Sequence, residues 1–242
     1  MEIIPAIDFR NGRCVRLYQG NYSAETVYEI TPESLIESWI SSGAKSIHIV
    51  DLDGAIGQRS NNLEIIESLK KRYQINMQFG GGIRSLDHAK RIMNIGIDRI
   101  VLGTIAVTNP KIVEEICIQY SPENIIVAID AKDHKVTVNG WTEKSNHTPL
   151  ELIRLMQVFD VQRFLYTDVE RDGTLTSPNF KSIKELVLSS NSAIQASGGI
   201  AKAEQLIQLK EIGAESAILG KALLDKVLEL DTLIKLISQK PN

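Results

Sequence analysis

This chain nearly repeats itself at half its length, and that limits the folds open to it more than any other feature. Val50-Asp51-Leu52-Asp53-Gly54 returns as Thr167-Asp168-Val169-Glu170-Arg171-Asp172-Gly173. Gln78-Phe79-Gly80-Gly81-Gly82-Ile83 returns as Gln195-Ala196-Ser197-Gly198-Gly199-Ile200, and Val101-Leu102-Gly103-Thr104 as Ile218-Leu219-Gly220-Lys221. Asp51 to Asp168, Gly82 to Gly199 and Gly103 to Gly220 are each 117 positions apart. A fourth phrase, Ile4-Pro5-Ala6-Ile7-Asp8, returns as Ile126-Val127-Ala128-Ile129-Asp130 at an offset of 122, so the first strand-to-helix loop carries five extra residues. Equal offsets with one insertion confined to a loop describe a duplicated half.

Short apolar runs alternate with helical patterns along the whole chain, which points to a parallel sheet with crossover helices. The strands are expected to end near Asp8, Asp51, Phe79, Leu102, Asp130, Thr167, Ala196 and Leu219. Helices are expected from Thr31-Pro32-Glu33, Asn62, Ser85-Leu86-Asp87, Asn109-Pro110, Thr148-Pro149, Pro178-Asn179, Ala201 and Ala222. Several of these starts carry a capping side chain or a proline at the first helical position. Eight such units in two matching halves close most naturally into a (β/α)8 TIM barrel, read as one domain over residues 1–242. An open doubly wound sheet is the structural alternative, and it would not ordinarily show two equivalent halves with a glycine turn in each.

In an eight-stranded barrel, strands four apart lie across a diameter. Asp8 on strand one and Asp130 on strand five therefore face each other at the C-terminal mouth, where active sites of this fold are built. A single aspartate at a strand end usually caps a turn, but two at equivalent positions on apolar strands suggest acid–base chemistry. Gly81 and Gly82 follow strand three, and Gly103 and Thr104 follow strand four. Ser197, Gly198 and Gly199 follow strand seven, and Gly220 and Lys221 follow strand eight. Glycine lets backbone N–H groups approach an anion closely. Two such turns on opposite sides of the mouth predict a small-molecule substrate phosphorylated at both ends. Arg84 and Lys221 could reinforce the anchors or simply be solvated charges, and Arg16, in the long loop after strand one, could reach a phosphate. Neither turn matches a dinucleotide or P-loop fingerprint.

With 43% hydrophobic residues, 24% charged residues and a net charge of −3, the composition offers no basic surface for nucleic acid or membrane. The N-terminus enters a strand without a basic region, so no secretory leader is expected. Cys14 and Cys117 are not in a redox spacing, and His48, His88, His134 and His147 show no metal-ligand spacing. A cytoplasmic monomer with neither metal nor cofactor is the expectation.

These motifs, with Gly12-Arg13-Cys14-Val15-Arg16-Leu17-Tyr18-Gln19-Gly20, His48-Ile49-Val50-Asp51-Leu52-Asp53-Gly54-Ala55 and Gly140-Trp141, resemble the ProFAR isomerase family of histidine biosynthesis. The likeness runs from Ile3 to about Leu223. It implies an Amadori rearrangement of a bisphosphorylated aminoaldose to its aminoketose, with Asp8 as general base and Asp130 as general acid. It also implies that Thr167 assists at the reacting ribose and that Trp141 closes over the substrate's imidazole ring. Leu223-Leu224-Asp225-Lys226 departs from the family pattern. On this reading Asp130 carries a raised pKa while Asp8 stays ionised. Asp51, Asp168 and Asp172 would shape the mouth without being catalytic, His48 would be a satisfied core or mouth histidine rather than a catalyst, and Trp39 would be a packing residue. Three alternatives stand beside it: the sister cyclase subunit of imidazole glycerol phosphate synthase, an isomerase that also accepts phosphoribosylanthranilate, and a phosphosugar-binding barrel without turnover.

Overall fold

The computed structural model describes residues 1–239. Its strands are β1 (Glu2–Arg10), β2 (Arg13–Tyr18), β3 (Asn21–Val27), β4 (Ser46–Asp51), β5 (Asn76–Gly80) and β6 (Arg99–Leu102) in the first half. The second half holds β7 (Ile125–Lys132), β8 (Lys135–Val138), β9 (Glu143–Lys144), β10 (Arg163–Asp168), β11 (Ala193–Ser197) and β12 (Ser216–Leu219). Parallel ladders join β1, β4, β5, β6, β7, β10, β11 and β12 in turn, and β12 pairs back onto β1. The sheet thus closes on itself as a (β/α)8 TIM barrel, and no parallel strand is left with a free edge.

The strands read as unbroken apolar runs because both faces are buried. Ile4, Ala6, Val101, Ile126, Leu165 and Ile218 fill the barrel interior. Alternate residues, among them Ile7, Phe9, Ile49, Phe79, Ile129 and Phe164, face outward into the layer beneath the helices. That outer layer is built by α1 (Pro32–Ser41), α2 (Leu52–Ala55), α3 (Asn62–Arg72), α4 (Leu86–Asn94), α5 (Thr104–Thr108) and α6 (Pro110–Gln119). The second half supplies α7 (Pro149–Gln157), α8 (Phe180–Ser190), α9 (Ala203–Ile212), α10 (Lys221–Leu224) and α11 (Leu230–Ser238). Each long helix turns one stripe inward; α1 buries Leu35, Ile36 and Trp39, and α7 buries Leu152, Ile153 and Met156. Thr31 caps α1 ahead of Pro32, and Thr148 with Glu151 forms a reciprocal capping box on α7.

Two features differ from the sequence reading. Strands β1 and β7 do not stop at Asp8 and Asp130 but run two residues further, because each turns into an antiparallel hairpin with β2 and β8. The first hairpin, extended by β3, occupies the long segment after strand one that had been read as a loop, five residues longer than its counterpart. The helix expected from Ala222 is split in two: the short α10 begins one residue earlier, at Lys221, and the packing helix α11 follows it.

The duplication survives in the loop clamps. Asn62 Nδ2 donates to Asp51 at 2.7 Å and to Asp53 at 2.9 Å, and Asn179, 117 positions on, donates to Asp168 at 2.8 Å. A β-carbon on Gly81 would strike the Asp51 carbonyl, and one on Gly198 would strike that of Asp168, so both glycine turns lie directly on the clamped strand ends. Replacing Asn62 by Ala leaves two buried carboxylates short of a donor and also frees the Gly12 N–H, which Asn62 Oδ1 accepts at 2.8 Å. The expected cost is about 1–3 kcal/mol in a urea melt, with a smaller loss for Asn179→Ala, which holds one carboxylate; equal losses would contradict this account.

Candidate active site

The strand registers carry two equivalent rungs to the mouth. Asp8 pairs with Val50 and Val50 with Gly80; Asp130 pairs with Thr167 and Thr167 with Ser197. With β1 and β7 four barrel strands apart, the two carboxylates look across one cavity of about 170 Å³. Asp8, Asp130 and Thr167 line it with Arg16, Gly81, Gly82, Arg84, Gly103, Thr104, Trp141 and Ser197. The remaining predicted residues, Gly198, Gly199, Gly220 and Lys221, line a smaller recess of about 20 Å³ on the opposite side.

Arg16 stands between the two spaces and lines both. Its guanidinium lies against Gly220, where a β-carbon would be 2.7 Å from Cζ. It donates at 2.8 Å to Asp8 and at 2.8 Å to Asp172, while its Nε is buried without a partner. Burial works against this cation, but Asp172 and Asp8 together hold its pKa above the ordinary value. Arg16 is therefore a bridge between carboxylates as well as a wall of the recess.

The other charged and polar groups are largely engaged. Arg84 donates to the Gly54 and Ala55 carbonyls at 3.1 and 2.8 Å, and Lys221 pairs with Asp225 at 3.0 Å. The Thr104 hydroxyl accepts the Asn139 N–H at 2.9 Å, which pins the turn that carries Trp141. Trp141 has φ 69° and lies against Gly20, so the first hairpin and the β8–β9 turn meet over the mouth. Gln19 reaches the Glu170 carbonyl and its N–H bonds Asp172 O at 3.0 Å, which ties the same hairpin to the loop after β10.

Burial pushes Asp8 up to about 6 against the pull of Arg16, and the Asp172 charge pushes the same way. Burial likewise pushes Asp130 up to about 6, partly offset by hydrogen bonds from Trp141 and Thr167. The expectation that Asp130 alone is raised is thus corrected: both carboxylates are. His48, read as a core or mouth histidine, lines the cavity, and burial with the nearby Arg16 charge lowers it to about 3. Asp172, read as a shaping residue, stands in the cavity as a third carboxylate. Both lie where the repeat breaks, opposite Leu165 and Ala55 at the same offset, and that asymmetry was the available signal. No group of three or more His, Cys, Asp or Glu side chains suited to a metal ion occurs among the described residues.

The profile of the family described as "Histidine biosynthesis protein" matches residues 2–229. The chain belongs to that family. Among its relatives is a protein of Dehalococcoides mccartyi named 1-(5-phosphoribosyl)-5-((5-phosphoribosylamino)methylideneamino) imidazole-4-carboxamide isomerase, 48% identical over 92% of this chain and 94% of the relative. Proteins of the same name from Persephonella marina and Thermodesulfovibrio yellowstonii are each 41% identical, over 96% and 98% of this chain and 97% of each relative. Within this histidine-biosynthesis family, then, the chain is aligned along nearly its full length with proteins named as isomerases.

The raised carboxylates make stability depend on pH in a defined direction. From pH 4 to pH 6 the folded chain holds protons at Asp8 and Asp130 that the unfolded chain has released, so stability falls as pH rises through that window. Asp130→Asn is expected to raise the melting temperature at pH 7.5, with the gain fading below pH 4. A gain that does not change with pH would show that Asp130 is not held in this way.

Proposed function

We propose that the chain is the ProFAR isomerase of histidine biosynthesis, converting the aminoaldose N-(5′-phosphoribosylformimino)-aminoimidazole carboxamide ribotide to its aminoketose. The observation that carries this reading is the pair of carboxylates facing each other across one cavity, flanked by glycine turns on opposite sides. The names of the family's full-length relatives support it further.

The reaction opens the furanose ring, so the ring oxygen takes a proton while the amine lone pair forms the imine. A proton then leaves C2′, and the enolamine tautomerises to the ketone. One acid and one base suffice, each typically contributing about 10²–10⁴-fold. Asp8 is assigned the base. Asp130 is assigned the acid as the family resemblance implies: both carboxylates are raised to about 6, and the two differ in that Asp8 has the Arg16 cation at 2.8 Å, which favours its ionised form as the base. Asp172 is the second candidate acid, since it shares Arg16 with Asp8 and so stands close to the base. Thr167, next to Asp130 on the ladder, would hold the reacting ribose, and Trp141 would cover the imidazole ring. Backbone N–H groups at Gly81, Gly82, Gly103 and Thr104 would take one phosphate. Those at Ser197, Gly198, Gly199, Gly220 and Lys221 would take the other, with Arg16 and Arg84 adding charge.

The protein would act as one domain and as a monomer in the cytoplasm, on a small molecule and without a resident cofactor. None of its described helices is long and apolar enough to cross a membrane. The cyclase alternative finds no support in the relatives named above. Conversion of ProFAR without ammonia tests the reading directly, and consumption that needs ammonia would refute it. Among variants, Asp8→Asn is expected to lose about 10³-fold in kcat. Asp130→Asn and Asp172→Asn assign the acid: the variant that abolishes the basic limb of the pH–rate profile identifies it.

A further inference from the structure

Gln78 and Gln195, 117 positions apart, meet inside the barrel and exchange hydrogen bonds at 3.1 and 3.3 Å. Both are buried. On the neighbouring strand of each ladder, Gln78 has His48 beside it and Gln195 has Leu165. Those neighbours are also 117 apart, so the duplication keeps its amides symmetric and breaks at one position. There, Gln78 Nε2 lies 2.9 Å from His48 Nδ1.

An amide nitrogen only donates, so His48 Nδ1 accepts and the ring proton sits on Nε2. Turning both amides over would reverse this, but it would leave a further buried N–H without an acceptor, which native interiors avoid. With Nδ1 engaged, Nε2 is the polar atom that His48 has left for the cavity it lines. The surrounding floor is apolar, formed by Ala6, Val101, Ala128, Leu165 and Ile218.

We propose that His48 is a substrate-contacting residue that donates its Nε2–H to an oxygen of the bound sugar, and that the Gln78–Gln195 pair locks this tautomer. Gln78 is then a positioning residue. The depressed pKa keeps the ring neutral, so it orients the sugar without exchanging its proton. The sugar contact rests on the isomerase reading above, whereas the tautomer does not.

The test is ¹⁵N NMR of the histidine-labelled protein without substrate, His48→Gln serving to assign the signal. The expected spectrum shows His48 with Nε2 protonated and Nδ1 bare, unchanged between pH 8 and pH 5. A proton on Nδ1, or titration near pH 6.5, would overturn the proposal. In Gln78→Glu the carboxylate accepts from Nδ1, so the tautomer inverts or the ring becomes charged and pH-dependent. A spectrum like that of the unmodified protein would also count against the proposal. With ProFAR, His48→Leu is expected to lose about tenfold in kcat/KM, the worth of one neutral hydrogen bond, and Gln78→Glu a comparable amount, with the loss growing where its ring is charged. Unchanged kinetics beside the expected spectrum would remove the sugar contact. A chain that shows the spectrum but never turns over ProFAR would sink the isomerase reading and leave the tautomer standing.

Discussion

A carboxylate taken out of water holds its proton more tightly unless a cation or several donors compensate it. The barrel imposes this condition twice, at Asp8 and Asp130, by carrying each on a strand buried on both faces. The compensation differs. Asp8 has the Arg16 guanidinium at 2.8 Å, whereas Asp130 has neutral donors, Trp141 and Thr167. Similar pKa values therefore arise from dissimilar surroundings, and a ligand would affect them differently. An anion that draws Arg16 toward the recess beside Gly220 removes the cation from Asp8 and leaves the partners of Asp130 untouched.

Closure of the sheet turns this into a geometry for catalysis. Because β1 and β7 stand four strands apart, Asp8 and Asp130 face each other across the cavity at the mouth, above the level at which Gln78 and Gln195 meet. The glycine turns sit on the adjoining strand ends at right angles to that line. Asp51 and Asp168 hold those ends through Asn62 and Asn179, and this accounts for two prominent aspartates in the motifs without giving them a chemical role. One duplicated unit thus supplied both a structural carboxylate and one that lines the cavity, on adjacent strands.

Most of the architecture could be read from the chain because symmetric features are written twice. The 117-residue offset recurs in the structure as Asn62 and Asn179, as Gln78 and Gln195, and as the turns at Gly81 and Gly198. What was not legible lies where the halves differ. The β2–β3 hairpin is longer than its counterpart β8–β9 in the second half, and its run of glycine and charged residues obscured the buried positions Cys14, Val15 and Leu17. The pairing of Arg16 with Asp172 spans 156 positions and depends on how that hairpin folds back over the mouth. No local pattern encodes such a contact. Nor could spacing reveal that Lys221 and Thr104 are already engaged, by Asp225 and by the Asn139 N–H.

The breaks in the repeat follow a chemical logic. Val50 faces Thr167, Gly80 faces Ser197, Ala55 faces Asp172 and Leu165 faces His48 at the constant offset. Three of these four changes place a polar side chain in the second half, on the rung of Asp130 or just beyond it, and the fourth places His48 below the rung of Asp8. A symmetric barrel could bind a symmetric bisphosphate in either direction. Reaction at one sugar requires that the two ends be told apart, and two hydroxyls, a third carboxylate and an imidazole on unequal sides would supply that distinction within an otherwise repeated frame.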